Sequence, residues 1–578
     1  MSKLVFHGLR KIHCFKFSSL LSMIWSGKYI ACALVILTLI ACKKESKPPP
    51  SPPATISLVT SSINNIVLGD NTGINSQPEI RLRLSQPLQP ASLSSGIVLT
   101  DGRGINAAFS STLSNGDSVV VLKPSRLNFL TRYDLSLGIG LTSKDGGRLA
   151  TPATKSFSTG LDSSRKFSPI SDDSLLTLVQ KQTFKYFWDF AHPVSGLARE
   201  RSNGNNNLVT SGGSGFGIMA LIVGADRGFV THAQALTRLQ TIVAFLKNQA
   251  QTFHGAFPHW LDGTTGAVIP FSPNDDGADL VETSYLVQGL LCARQYFNDP
   301  GTVETTLRTD INSIVDKVEW NWFRQNNQNV LYWHWSQDKG WIMNMKILGW
   351  NECLITYALA ATSATYSIPK TVYDAGWARN GAIRNGKAFY GYTLPLGEDY
   401  GGPLFFEHYS FLGLNPKKLK DTYADYTTQT TNHTLINFNY CRSNPKGFYG
   451  YSDSVWGLTA SDIKGGYTAS SPSNDQGYIA PTAAISSLPY TPNESMAALK
   501  FYYYVLGDKI WKDYGFIDAF TLDVLKNNGP WFAGSHLAID QGPIIVMIEN
   551  YRTGLLWNLL MSCPEVRNGL TKLGFTGL

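Results

Sequence analysis

Charge is scarce in this chain. Only 16 % of its 578 residues are Asp, Glu, Lys or Arg, and no basic run occurs in the body, which argues against a nucleic-acid partner. The net charge of +7 is inflated by Lys3, Arg10, Lys11, Lys16 and Lys28 at the N-terminus. Beyond Cys42 the only cysteines are Cys292, Cys353, Cys441 and Cys563. They lack CxxC or Cys/His spacing, so the fold rests on neither a disulfide framework nor a structural metal, and buried thiols are expected. GxSxG, P-loop, HExxH and dinucleotide fingerprints are also missing. No motif demands a metal or organic cofactor. The apolar run Tyr29–Ile40 is too short for a comfortable membrane span.

At the end of that run, Leu39-Ile-Ala-Cys42 has the form of a bacterial lipoprotein signal, with cleavage before Cys42 and lipid on its thiol. A start at Met23 would leave a leader of ordinary length. The next segment, Lys43-Lys-Glu-Ser-Lys-Pro-Pro-Pro-Ser-Pro-Pro53, reads as a stiff, extended tether. These features predict an exported lipoprotein, anchored through Cys42 on a periplasmic or cell-surface membrane, with a signal over 1–42 and a tether over 43–54. A conventional transmembrane anchor is the competing reading.

The rest of the chain divides into two patterns of different period. From 55 to 160 it alternates, with candidate strands at Ile56–Val59, Ile80–Leu84, Gly96–Leu99, Ser118–Leu122, Tyr133–Leu137 and Lys155–Ser158 between turn-forming Asn, Asp and Gly. That length without cysteines fits an Ig-like β-sandwich, more a spacer than a binding module. After a linker at 161–172, the period becomes helical. Leu175, Leu176, Val179, Phe184, Phe187 and Trp188 form one stripe behind a Ser171 cap. Further helices are expected near 215–226, 231–250, 279–298, 302–320, 346–363, 370–380, 418–439, 494–506, 513–525 and 542–560. About a dozen helices in 173–578 suggest hairpins arranged in a ring, with another helical layer fold as the alternative. Gly212-Gly-Ser-Gly-Phe-Gly217 is expected to allow close backbone approach at a helix start.

The chemistry gathers at helix starts. Ser272-Pro-Asn-Asp-Asp-Gly-Ala-Asp-Leu-Val-Glu-Thr283 puts Asp275, Asp279 and Glu282 at i, i+4 and i+7, on one face of a helix capped by Asn274 or Asp275. Glu352 and Asp540 mark two more starts, the second with Pro543 in its first turn. Such acids serve either as favourable first-turn charges or as a general acid and base. Aromatic residues crowd the neighbouring loops: Phe257, His259 and Trp260, then Trp335, Trp341, Trp350 and Asn351. Aromatic faces stack on pyranose rings while polar neighbours hold hydroxyls, although core packing explains part of any such set.

These segments resemble the glycoamylase-like domain of glycoside hydrolase family 144. The likeness is carried by Gly215-Phe-Gly-Ile-Met-Ala-Leu221, Gly349-Trp-Asn-Glu-Cys-Leu-Ile-Thr356, Gly402-Pro-Leu-Phe-Phe406, Trp456-Gly-Leu-Thr-Ala-Ser-Asp462, Pro481-Thr-Ala-Ala-Ile485 and Ile539-Asp-Gln-Gly-Pro543. The resemblance implies a mainly α chain with an (α/α)6 barrel, and inverting hydrolysis of β-1,2-glucan or sophoro-oligosaccharides. It places Asp275, Asp279, Glu282, Glu352 and Asp540 in one site. Glu352 and the Asp279/Glu282 pair are then the acid and base in either order, with Asp540 holding a second acid or a water. It also adds Arg201 to the substrate contacts. This chain has Glu200-Arg-Ser202 where relatives read Asp-Arg-Ser, which leaves endo and exo action both open. A transglycosylase and a non-catalytic glycan-binding lipoprotein are the competing functions.

Overall fold

The computed structural model describes residues 51–578. The signal segment, Cys42 and most of the tether lie outside them. Residues 53–578 belong to one unit, and no helix among the described residues is long and apolar enough to cross a membrane.

Strands between Leu58 and Thr159 form two packed sheets. One has five strands in the order Ile66–Val67, Leu58–Ile63, Ile80–Leu84, Val119–Pro124, Phe109–Ser114. The other has four, in the order Asn71–Ile74, Ala153–Thr159, Arg132–Leu137, Ile97–Asp101. Alternation explains the pairing: Ile80, Leu82 and Leu84 face inward while Arg81 and Arg83 face out. The sheets close over Ile80, Leu82, Val120, Leu122, Leu135 and Phe157. Phe109–Ser114 is absent from the expected strands because it is an edge strand whose inward face carries only Phe109 and Leu113, the rest being Ser and Thr.

The segment after the sandwich is pinned down. The Leu161 N–H donates to the Tyr449 hydroxyl (2.9 Å). The Lys166 N–H donates to the Tyr504 carbonyl (2.6 Å), and Phe167 stacks on Tyr503 with centroids 4.6 Å apart.

The helical part is built of helix pairs. In chain order its principal helices are α1 (Asp172–Trp188), α2 (Ser211–Asp226), α3 (His232–Asn248), α4 (Leu280–Tyr296), α5 (Thr302–Val315), α6 (Leu354–Thr362), α7 (Tyr426–Ser443), α8 (Pro481–Ile485), α9 (Pro492–Tyr504), α10 (Ala538–Arg552), α11 (Leu555–Met561) and α12 (Pro564–Leu573). Between α6 and α7, short turns at Leu404–Glu407 and Ser410–Leu412 take a helix's place. Local signals set the starts: Ser171 caps α1, and Thr231 with Gln234 forms a capping box on α3.

Outer helices such as α3 and α5 are buried on one stripe, whereas α2 is buried continuously from Ser211 to Gly224. The inner segments close a ring. α2 packs against α4 and α10, α4 against α6, α6 against the 404–412 turns, and α8 against α10. His408 Nε2 on Ser487 Oγ (3.0 Å) joins those turns to the end of α8. This is the (α/α)6 barrel. α6 and α10 stand third and sixth of six inner segments, and so face each other across the ring.

Three expectations fail. The 513–525 stretch holds the short strands Gly515–Phe516 and Phe520–Thr521. A long run buried on every side gives no period to tell strand from helix. The 542–560 stretch is two helices, α10 beginning earlier at Ala538, so Pro543 lies inside α10. α8 and α12 were not anticipated.

α2 and α4 cross with backbones in contact. A Cβ on Gly215 would lie 2.1 Å from the Tyr285 carbonyl oxygen, and one on Gly289 would lie 2.2 Å from that of Gly215. Gly215→Ala is therefore predicted to destabilise the barrel by at least ~1–3 kcal/mol, the cost of overpacking. Urea unfolding checks this, and a wild-type midpoint would mean the helices separate freely.

Candidate active site

Strand pairing fastens the 255–260 loop over the start of α2. Thr210 pairs with Trp260, and the Ser211 N–H donates to the His259 carbonyl (3.1 Å). Phe257 ties the loop to α4: its N–H donates to Thr283 Oγ1 (2.8 Å), and its carbonyl accepts the Asp279 N–H (2.9 Å). The glycine-rich stretch thus comes after a short strand, Leu208–Thr210, in an antiparallel sheet.

The acid trio converges, but not along one helix face. α4 starts at Leu280 because Asp279 is its cap, with Oδ1 accepting the N–H groups of Val281 (3.0 Å) and Glu282 (2.9 Å). Neither Asn274 nor Asp275 caps it. Asp275 arrives through a turn and a strand pair, Ala278–Asp279 on His334–Trp335. His334 Nε2 lies 3.1 Å from Asp275 Oδ2 and 3.7 Å from Asp279 Oδ2. Asp279 Oδ2 also meets His259 Nδ1 at 3.0 Å. Glu282 Oε2 accepts the Gly212 N–H (2.8 Å) and the Thr210 hydroxyl (3.3 Å).

The electrostatics separate these groups. Burial alone would raise Asp279, yet the hydrogen bond from His259 and the charge of His334 hold it below the usual carboxylate range. Burial raises Glu282, and the nearby Asp279 charge adds to the rise. Enclosure works against a charge on His259, but Glu282, Asp279 and Asp275 push it up to about 9, so it is an imidazolium at neutral pH. Glu352, just before α6, is pushed up to about 7 by burial and by the charges of Glu282 and Asp279. His259, Asp275 and Asp279 bring three ligand-type atoms within 4.8 Å. His259 donates to Asp279 in this arrangement, so a metal there would have to displace its proton.

The facing wall comes from elsewhere in the chain. Arg201 pairs with Glu200 through Nε (2.9 Å) and reaches both carboxylate oxygens of Asp462 (3.3 Å each). Asp540, in the first turn of α10, is raised well above the carboxylate range by burial and then by Asp518. Between the walls lies a cavity of about 460 Å³, a size ordinary for small-molecule sites.

Five of the expected site residues line this cavity: Glu282, Glu352, His259, Trp260 and Arg201. Asp275, Asp279 and Asp540 stand behind its lining. Four aromatic expectations are corrected. Phe257 is 1 % exposed, and Trp350 is 7 % exposed with its Nε1 donating to Glu407 (3.1 Å). Both are core. Trp335 and Trp341 pack around Trp322 and do not line the cavity. Asn351 spends its Oδ1 on the Cys353 N–H (2.9 Å) at the start of α6. In their place the structure brings in Phe271, Trp333, Phe405, Tyr409 and Tyr467. Sequence reasoning misses Asp462 and Asp518 as well, the second within the stretch expected to be helix. Buried polar atoms around the cavity, Trp260 Nε1 and Tyr285 Oη, lack hydrogen-bond partners among the described residues, as expected of a wall made for a hydroxyl-rich ligand.

A family model described as "Putative glucoamylase" matches residues 344–564, and one described as bacterial Ig-like domain matches 61–159. The chain is 45 % identical over 426 residues to an exo β-1,2-glucooligosaccharide sophorohydrolase of Parabacteroides distasonis, covering 70 % of this chain and 58 % of that protein. It therefore spans a little over half the length of that curated relative. A solved endo-β-1,2-glucanase of Chitinophaga pinensis, in complex with sophorotriose and glucose, is 53 % identical at a TM-score of 0.68, covering 71 % of this chain and 99 % of that one. A solved β-1,2-glucanase of Parabacteroides distasonis is 38 % identical at a TM-score of 0.68, covering 90 % and 74 %. A likeness of this depth along virtually the whole of a solved glucanase of the same fold means that the chain belongs to glycoside hydrolase family 144, the β-1,2-glucanases with a glycoamylase-like domain.

Proposed function

We propose that this protein hydrolyses β-1,2-glucosidic bonds in β-1,2-glucan or sophoro-oligosaccharides by an inverting acid/base mechanism. The observation that carries the reading is the disposition of acids: Glu352 at the start of α6, raised to about 7, and Asp540 on α10, on opposed inner segments. Inversion needs carboxyl groups ~6.5–9.5 Å apart, far enough for sugar and water between them. Glu352 holds a proton near neutral pH and delivers it to the glycosidic oxygen. Asp540, itself raised well above the carboxylate range, passes its own proton on as it takes that of the attacking water. Burial and the charges of Glu282 and Asp279 keep Glu352 protonated, while His259 and Arg201 orient hydroxyls. The relatives' names include one exo and one endo enzyme, and both modes are open for this chain. NMR of products from linear β-1,2-glucan tests the reading. Fresh α-anomer with water as acceptor supports it, and retained configuration or transfer to sugar overturns it.

The organisation 1–42 signal, 43–54 tether, 55–160 sandwich, 161–172 linker and 173–578 barrel is part of the same proposal, with Cys42 lipidated and the enzyme held at a bacterial membrane. Cys42→Ser should release the protein from the membrane fraction, and unchanged fractionation would remove the anchor.

Glu352 has two further consequences. Glu352→Gln should lower kcat ~10²–10⁴-fold with little change in KM, and wild-type turnover should decline as pH rises through about 7. The same substitution should act on stability in the opposite sense. A carboxyl whose folded value lies above its ordinary 4.5 contributes stability below that value and loses it as pH rises through about 7. Glu352→Gln should therefore melt above wild type at pH 8, with the gap closing by pH 4.5, as calorimetry at both pH values would read.

A further inference from the structure

Asp540 does not stand alone behind the cavity. Asp518, from the extended stretch between Gly515–Phe516 and Phe520–Thr521, is 1 % exposed and Asp540 is 2 % exposed. Asp518 Oδ2 accepts the Asp462 N–H at 2.6 Å. The Asp462 carboxylate is itself engaged by the Ser535 hydroxyl (2.5 Å) and by Arg201. The remaining oxygens, Asp518 Oδ1 and Asp540 Oδ2, are sealed from solvent with no hydrogen-bond partner of their own among the described residues except the opposite carboxyl. Two carboxyl groups in hydrogen-bonding reach, in a dry site, cannot both ionise. They hold one proton between them and titrate as a pair. The N–H bond to Asp518 favours the charge there and leaves the proton on Asp540. The other ionisable groups facing the pair are Glu200, Arg201 and Asp462, with the neutral phenols Tyr186, Tyr409 and Tyr467.

We propose that Asp518 is the positioning partner of Asp540, holding the shared proton inward so that the outer oxygen of Asp540 is the acceptor for the attacking water. The proposal rests on the reading of Asp540 as base. As the water oxygen bonds to the anomeric carbon, its proton passes to Asp540 and the shared proton moves onto Asp518. Glu352 gives its proton to the departing oxygen as the glycosidic C–O bond breaks. When the products leave, the Asp pair returns one proton to solvent and Glu352 regains one. No redox partner is involved. A pair that served only the fold would be a poor choice, since buried carboxyls that must share a proton are less stable than neutral side chains of the same shape.

The experiment compares full pH profiles of kcat and KM for Asp518→Asn, Asp518→Glu and Asp540→Asn beside wild type. Asp518→Asn should lower kcat about 10–100-fold with KM within about twofold. An amide donor in place of a carboxylate stabilises ionised Asp540, so the acid limb of its profile should move to lower pH. Asp518→Glu, which keeps the carboxyl, should recover part of the rate and the wild-type limb. An inactive Asp540→Asn beside an Asp518→Asn with wild-type kcat, or with a lower rate on an unmoved profile, overturns the pairing and leaves the base intact. Near-wild-type turnover in Asp540→Asn removes the base and the pairing with it.

Discussion

Backbone touches backbone where α2 crosses α4, and the geometry of the site descends from that contact. Gly215 and Gly289 let the two helices approach to a distance no side chain permits. This draws the start of α2 under the start of α4 and brings the Gly212 N–H to the carboxylate of Glu282 (2.8 Å). Around the ring, inner segments deliver acids to one mouth. A wider crossing would pull Glu282 from its donors and open the cavity floor.

The same closeness creates the electrostatic problem that the site exploits. Five or more carboxyls stand around one cavity in a chain otherwise poor in charge. The walls answer with cations and local donors: His259 and His334 around Asp275, Asp279 and Glu282, Arg201 beside Glu200 and Asp462. These are enough to ionise the acids that only position, such as Asp279 with its two N–H bonds and His259. They are too few to ionise the rest, so Glu352 and Asp540 retain protons that a solvated carboxyl would have lost. Stability and reactivity thus pull in opposite directions on the same side chains.

Much of this is legible in the residues. Candidate acids at helix starts, the change from alternating to helical period after residue 160, and the need for glycine at 212–217 are all readable from spacing and chemistry. The family resemblance supplies the ring and the grouping of the five acids in one site. The features that stay hidden have physical causes. Asp279 spends its side chain on capping, so the trio converges through a strand pair with His334 that sequence spacing cannot reveal. Trp350 and Phe257 carry the same aromatic signal as Trp260, but core and cavity wall differ only in which side of the loop faces in. Asp518 sits in a run buried on all sides, where no period exists to read.

The strap after the sandwich bears on how the chain can be divided. Phe167 lies on Tyr503, and the Lys166 and Ile170 N–H groups end on Tyr504, so residues 161–171 are tied to the barrel they precede although most of them face solvent. A barrel cut free at Asp172 would leave those two tyrosines bare at the end of α9, an apolar face open to self-association. A cut after Gly160 keeps the face covered. A division just past the last strand of the sandwich, Ala153–Thr159, keeps the strap on the barrel and parts the contact that Leu130 of the sandwich makes with the barrel core and the hold of Tyr449 on the chain at 160–161.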